Sequence, residues 1–153
     1  MQTKMKKSIQ YSLTALIAIF LGIQLIPVDR SNPPVVSDLE APIEVKTILK
    51  RSCYDCHSNE VKWPWYSYLA PVSWLVSHDV KEGREELNFS EWSNYSGDAK
   101  KKEKIIEEIS EGEMPLPIYL ITHPEASVSK QELEILKQWA GYSASSSRAS
   151  LPR

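Results

Sequence analysis

The chain has 153 residues, one domain's worth, and its 42% hydrophobic and 25% charged residues are ordinary for a globular protein. That composition excludes a disordered chain, a collagen-like repeat and a large two-domain enzyme. The net charge of -2 is unevenly placed: Lys4, Lys6 and Lys7 are the only charged residues before Asp29, and setting them aside leaves 15 basic against 20 acidic residues, a surface that does not seek nucleic acid.

Residues 1–28 read as a signal anchor or signal peptide. The three lysines precede an apolar run from Leu13 to Ile26 (LTALIAIFLGIQLI). The run is short for a full membrane span, which needs roughly 20 helical residues, though about 17 can suffice. It ends Gln24-Leu25-Ile26-Pro27-Val28-Asp29, without the small residues at alternate positions that a cleavable signal carries, which favours an uncleaved anchor. Its apolar residues fall all round a helix, unlike a core helix with a polar face. The lysines then belong in the cytoplasm and everything from Asp29 on the far side. Residues 29–42 hold Pro33, Pro34 and Pro42 and read as a semi-extended tether. Residues 43–142 form the expected folded domain, and the Ser-rich 143–153 a disordered tail.

Within the domain there are four amphipathic stretches and no convincing period-2 strand. The first runs from Ile43 to about His57, with Ile43, Thr47, Ile48 and the Cys pair sharing a face. Pro71 suits the first turn of a second, in which Val72, Leu75, Val76, Val80 and Leu87 recur at three- and four-residue steps. Asp98 caps a third, with Ile105, Ile106 and Ile109 inward, until Gly112 stops it. Ser129-Lys130-Gln131-Glu132 is a capping box opening a fourth, with Leu133, Leu136, Trp139 and Ala140 on one side and Gly141 at its close. The expected fold is all-α, about four short helices around one core. That core is thin for its length, while the loops carry Trp63, Trp65, Tyr66, Tyr68, Trp92 and Tyr95. Domains this small often need an added staple, and something apolar and flat would fill the gap.

Cys53-Tyr54-Asp55-Cys56-His57 is C-x-x-C-H, the attachment signature of c-type haem. Two thiols a helical turn apart add to the porphyrin's two vinyl groups as thioethers, and the adjoining imidazole reaches the iron from one face. In bacteria attachment occurs outside the cytoplasm, where the N-terminal segment places this domain. For the sixth iron position, Met1 and Met5 precede the apolar run, so Met114 is the only methionine of the folded unit. It stands in Glu113-Met114-Pro115 just past Gly112, and Met/His ligation suits an electron carrier. His78, mid-helix beside Ser77 and Asp79, is the next candidate, and His123 starts a turn before Pro124. Other uses of the Cys pair fit less well. A thioredoxin-like pair needs a strand and a parallel sheet, and a zinc site lacks a second Cys pair. A disulfide between residues three apart closes almost no loop.

The run Trp63-Pro64-Trp65-Tyr66-Ser67, then Ala70-Pro71-Val72-Ser73-Trp74-Leu75, Glu82-Gly83-Arg84 and Leu87-Asn88-Phe89-Ser90-Glu91-Trp92 resembles the small bacterial haem-binding domain family of cytochrome c-like proteins. Gly112-Glu113-Met114-Pro115 and the closing helix to Trp139 fit the same pattern. The resemblance covers about Ile43 to Tyr142. It implies a monohaem c-type domain outside the cytoplasm, attached through Cys53 and Cys56 with His57 as proximal ligand.

The expectation is thus a cytochrome c-like bundle around one covalent haem c, preceded by an N-terminal membrane segment. It would pass single electrons to redox partner proteins in the periplasm or membrane, with iron ligands His57 and Met114 and no catalysis. Trp63, Trp65 and Tyr66 either wall the haem or pack an ordinary core. Arg84 pairs with a haem propionate or, more simply, with Glu82 or Glu85. Two other functions remain: a haem-based sensor or gas-binding module with a weak sixth ligand, and a peroxidase-like haem enzyme using His78 as distal base.

Overall fold

Local signals set most of the helices. The computed structural model describes residues 2–95 and 98–142. In chain order its helices are α1 (Gln2–Ile23), α2 (Ile43–Ser52), α3 (Tyr54–His57), α4 (Val72–Glu86), α5 (Ala99–Glu111), α6 (Pro117–Leu120) and α7 (Lys130–Ala140). Short 3-10 turns lie at Trp65–Tyr68, Trp92–Tyr95 and Pro124–Ala126. Among the described residues there is no strand, only one parallel bridge between Ser37 and Glu91. The all-α expectation holds. The tail expected at 143–153 lies outside the described residues.

Asp98 caps α5 by accepting from the Lys100 and Lys101 amides, and Gly112 ends it at φ 80°. Ser129 and Glu132 complete the reciprocal capping box of α7, and Gly141 ends that helix at φ 68°. The first expected helix breaks in two. Cys53, at φ -130°, ψ -32°, separates α2 from α3. Its inner face is also rotated from the one read above. Val45, Ile48, Leu49 and Ser52 are buried, whereas Ile43 is 80% exposed. Ile48 is common to both faces, but the buried one extends from it toward Val45, Leu49 and Ser52 and away from Ile43 and Thr47.

The chain divides into two compact units, Met1–Ser31 with Lys62–Glu82, and Asn32–Val61 with Gly83–Arg153. The first holds α1 and the Trp65–Tyr68 turn. α1 has 22 residues, but its first half carries Lys6, Lys7, Ser8, Gln10 and Ser12. The apolar part from Leu13 to the helix end at Ile23 rises only about 16 Å against a hydrocarbon core of about 30 Å. Among the described residues no helix is long and apolar enough to cross a membrane, so the structure does not supply the expected N-terminal span.

The second unit contains the core. Leu39, Val45, Ile48, Leu49, Leu87, Ile105, Ile106 and Leu136 cluster with Tyr54, Phe89 and Trp92. Phe89 stacks on Tyr54 with ring centroids 5.0 Å apart, Trp92 lies 5.8 Å from Phe89, and Trp139 is 6.1 Å from Trp92. Two of the surplus loop aromatics, Trp92 and Tyr95, therefore join this core. Fully burying one such side chain is worth about 1.5–3 kcal/mol. The Pro-rich stretch is not free spacer throughout. Leu39 is 1% exposed, Asp38 accepts from the Tyr54 hydroxyl at 2.8 Å and pairs with Lys46, and the Val36 and Ser37 amides donate to the Ser90 carbonyl.

Candidate functional site

The C-x-x-C-H turn is built on one carbonyl. Cys53 receives the last α2 bond, its amide donating to Leu49 O at 2.8 Å, and its own carbonyl then accepts from the Cys56 amide at 3.2 Å and the His57 amide at 2.9 Å. This single turn carries both cysteines and the histidine. Both cysteines are partly buried and no disulfide joins them. Burial pushes the Cys53 thiol up to about 12, with Cys56 adding to the rise and Arg51 opposing it. A thioredoxin-like pair needs the opposite shift as well as strands. No group of three His, Cys, Asp or Glu able to hold a metal ion occurs among the described residues.

His57 is oriented by α4. Its Nδ1 lies 2.7 Å from the Gly83 carbonyl and 3.1 Å from the Leu87 carbonyl. Both partners only accept, so Nδ1 carries the proton and Nε2 keeps the in-plane lone pair. Burial lowers the pKa of the ring, against the pull of those two carbonyls, which keeps the imidazole neutral and able to coordinate. The His57 carbonyl in turn accepts from the Phe89 amide at 2.8 Å.

Gly83 makes this approach possible. A Cβ there would lie 2.8 Å from the Cys56 carbonyl oxygen and 3.3 Å from Cys56 Cβ, so no side chain fits. The chain beyond the motif is pinned by polar groups. Arg84 Nε donates to Ser58 O at 2.8 Å, and its Nη2 donates to the Asn32 side chain at 2.9 Å. The guanidinium thus braces the motif's exit. The Asn59 amide donates to Ser90 Oγ, and Asn88 donates to the Asn59 side-chain oxygen, all within a buried cluster.

Met114 enters from α5. Gly112 turns the chain, and the Glu113 and Met114 amides both donate to Glu108 O, at 3.0 and 3.1 Å. Met114 is partly buried. The loop it opens docks on the motif itself: the Tyr119 hydroxyl donates to Asp55 Oδ2 at 2.8 Å, and the Tyr119 ring stacks on His123 at 4.4 Å. Segments 64 residues apart are joined there. Cys53, Cys56, His57 and Met114 all belong to the second unit.

Trp63, Trp65 and Tyr66 belong to the first unit. Trp65 is 76% exposed and meets Tyr66 edge-on at 5.8 Å. Trp63 and Tyr66 are partly buried, and the Trp63 indole nitrogen is buried without a hydrogen-bond partner. Of the rival ligands, His78 is 60% exposed in its side chain and pairs with Glu82 at 3.3 Å. His123 pairs with Glu125 at 3.0 Å.

Sequence reasoning missed two parts of this site. Gly83 had a signal, an isolated glycine inside a helical pattern. The Tyr119–Asp55 bond had none. The donor set fits a haem: two thiols three residues apart, not joined by a disulfide, then an imidazole whose other nitrogen is already fixed. Residues 18–141 match the family described as a haem-binding domain. No curated protein and no solved structure matches the chain.

Proposed function

The chain belongs to the haem-binding domain family, and we propose that it carries one covalent haem c and passes single electrons on the periplasmic side of the inner membrane. The observation that carries this reading is the His57 ring, whose Nδ1 is committed to Gly83 O and Leu87 O while two unlinked cysteines precede it. When bound, the group supplies a reversible one-electron couple at its iron. The chain supplies the rest. Cys53 and Cys56 would hold the group as thioethers. His57 would ligate through Nε2, the two carbonyls on Nδ1 fixing the ring's orientation and raising its basicity. Met114 would supply the second ligand to the iron, and its thioether would favour the reduced state and raise the potential.

The basic N-terminus and the apolar run after it direct the segment beyond Asp29 across the membrane and, left uncleaved, keep the chain beside it. The partners are redox proteins of the periplasm or membrane, and no catalysis is required of the chain.

The test is a denaturing gel stained for haem, run on full-length protein made with and without the haem-attachment machinery. Covalent stain and the added mass of one haem are expected only with the machinery, and both disappear in a Cys53→Ser/Cys56→Ser double variant. Colourless protein from the native compartment with two free thiols overturns the reading. Carbon monoxide then separates carrier from sensor. Reduced wild type should bind it slowly or incompletely and Met114→Ala rapidly, whereas rapid full binding by the wild type favours the gas-binding alternative.

A further inference from the structure

The first unit exposes apolar surface that its own packing leaves uncovered. In α1, Leu13, Leu16, Ile17, Ile19, Phe20 and Leu21 are each 48–64% exposed. At ~100° per residue these large side chains sweep about 200° of the helix, and Thr14, Ala15, Ala18 and Gly22 fill the remainder, so no polar face is left. A protein groove covers one stripe of a helix. A helix that is apolar all round is suited to lipid, which surrounds it.

A second segment is fixed at the C-terminal end of that helix. The Gln24 side chain accepts from the Ala70 amide at 2.9 Å and donates to the Ala70 carbonyl at 3.2 Å. Arg30 donates to Ser67 O at 3.1 Å and lies 4.5 Å over the Tyr68 ring. Ser77 Oγ donates to Asp29 O at 2.9 Å. On the segment held this way Trp65 is 76% and Tyr68 59% exposed, with Leu69, Val72 and Leu75 at 43–44%. Trp and Tyr with apolar bodies and polar tips are the residues that settle at the membrane–water boundary.

We infer that residues 65–75 rest in the headgroup layer of a lipid bilayer, Trp65 and Tyr68 at the boundary, as a second membrane contact beside the apolar part of α1. This contact rests on the membrane placement proposed above and adds to it a surface outside the N-terminal segment. It explains why a tryptophan and a tyrosine stay on the surface while a side-chain amide and a guanidinium are used to fix the backbone that carries them.

Hydroxyl-radical footprinting read residue by residue by mass spectrometry tests it, on the full chain with and without vesicles of phosphatidylethanolamine and phosphatidylglycerol. Vesicles should lower oxidation of Trp65 and Tyr68 at least fivefold, together with Leu16 and Phe20, while exposed Ile43 and Ile121 of the second unit change little. A Trp65→Ser/Leu69→Ser variant should lose protection at Tyr68 and keep it at Leu16. Protection of α1 alone overturns the inference and leaves the membrane placement standing. Protection of neither overturns both. Protection of Trp65 without vesicles, appearing either on haem attachment or with rising protein concentration, overturns it in favour of the haem or a second copy of the chain.

Discussion

The two units of this molecule solve the problem of apolar surface in opposite ways. In the second, eleven buried residues form one cluster drawn from helices and loops alike. In the first, Ala70 and Val80 are the buried apolar residues among those described, and large side chains from Leu13 to Leu75 stay exposed. The second unit is held by burial. The first is held by hydrogen bonds from side chain to backbone, as at Gln24–Ala70 and Arg30–Ser67. Burial closes the second unit on itself, whereas side-chain-to-backbone bonding with little burial leaves the first unit's apolar surface exposed.

The sharpest way to break this comparison is to truncate one isoleucine in each unit. Ile106 is 0% exposed, and Ile106→Ala should cost about 2–5 kcal/mol, the lost transfer energy plus a cavity. Ile17 is 51% exposed, and Ile17→Ala should stay within about 0.5 kcal/mol in aqueous buffer. Urea unfolding followed by tryptophan fluorescence measures both. Equal losses would show that the exposed helix is packed after all.

Next in size is Gly83→Ala. Alanine improves helix propensity by about 1 kcal/mol, which alone would stabilise α4. Here the new Cβ meets the Cys56 carbonyl oxygen, a backbone atom, at 2.8 Å. Relieving that contact should cost about 1–3 kcal/mol, so a net loss is expected. It should also lengthen the His57–Gly83 hydrogen bond and shift the reduction potential of haem-loaded protein. A variant more stable than wild type, with an unchanged potential, would mean that α4 does not set the position of the motif.

The same contrast governs what could be read from the residues alone. α5 and α7 were legible to their ends because Asp98, Gly112, Ser129 and Gly141 act on neighbours within a turn. The C-x-x-C-H run was legible because its chemistry lies in its spacing. The break at Cys53 was not, since nothing local forbids a continuous helix there. Leu39 read as tether because its burial depends on α2 and on the chain near Phe89. Asp55 and Tyr119 meet only after the fold has closed, and no period or cap announces such a pair. What positions the motif was illegible, because those contacts form only between segments distant in the sequence.

Tyr119→Phe tests one of those positioning contacts. It removes the hydroxyl that donates to Asp55 and keeps the ring on His123. A hydrogen bond to a charged group is worth about 1.5–3 kcal/mol, less where water can replace it, and Asp55 is only partly buried. The expected loss of stability is about 1 kcal/mol. The more telling readout is the loop that carries Met114. If Met114 ligates the iron as proposed, the sulfur–iron charge-transfer band of haem-loaded protein should weaken, and an unchanged band would show that the Tyr119–Asp55 contact does not place Met114.

The smallest expected effect is on pH dependence. The Arg51 guanidinium, 2.7 Å away, and the Ser129 amide hold the Glu132 carboxyl well below the usual range, at about 2, against a modest opposing effect of burial. A depressed folded-state pKa contributes stability that is present above the unfolded value of 4.5 and is lost as pH falls toward about 2. The pair shares its surroundings with solvent, so screening limits its worth to about 1 kcal/mol. Wild type should therefore lose urea resistance between pH 5 and about 2 slightly faster than Glu132→Gln, which retains a capping-box side chain and cannot titrate. Parallel curves would mean that the Arg51–Glu132 bridge joins α2 to α7 without stabilising either, leaving the second unit to stand on burial alone.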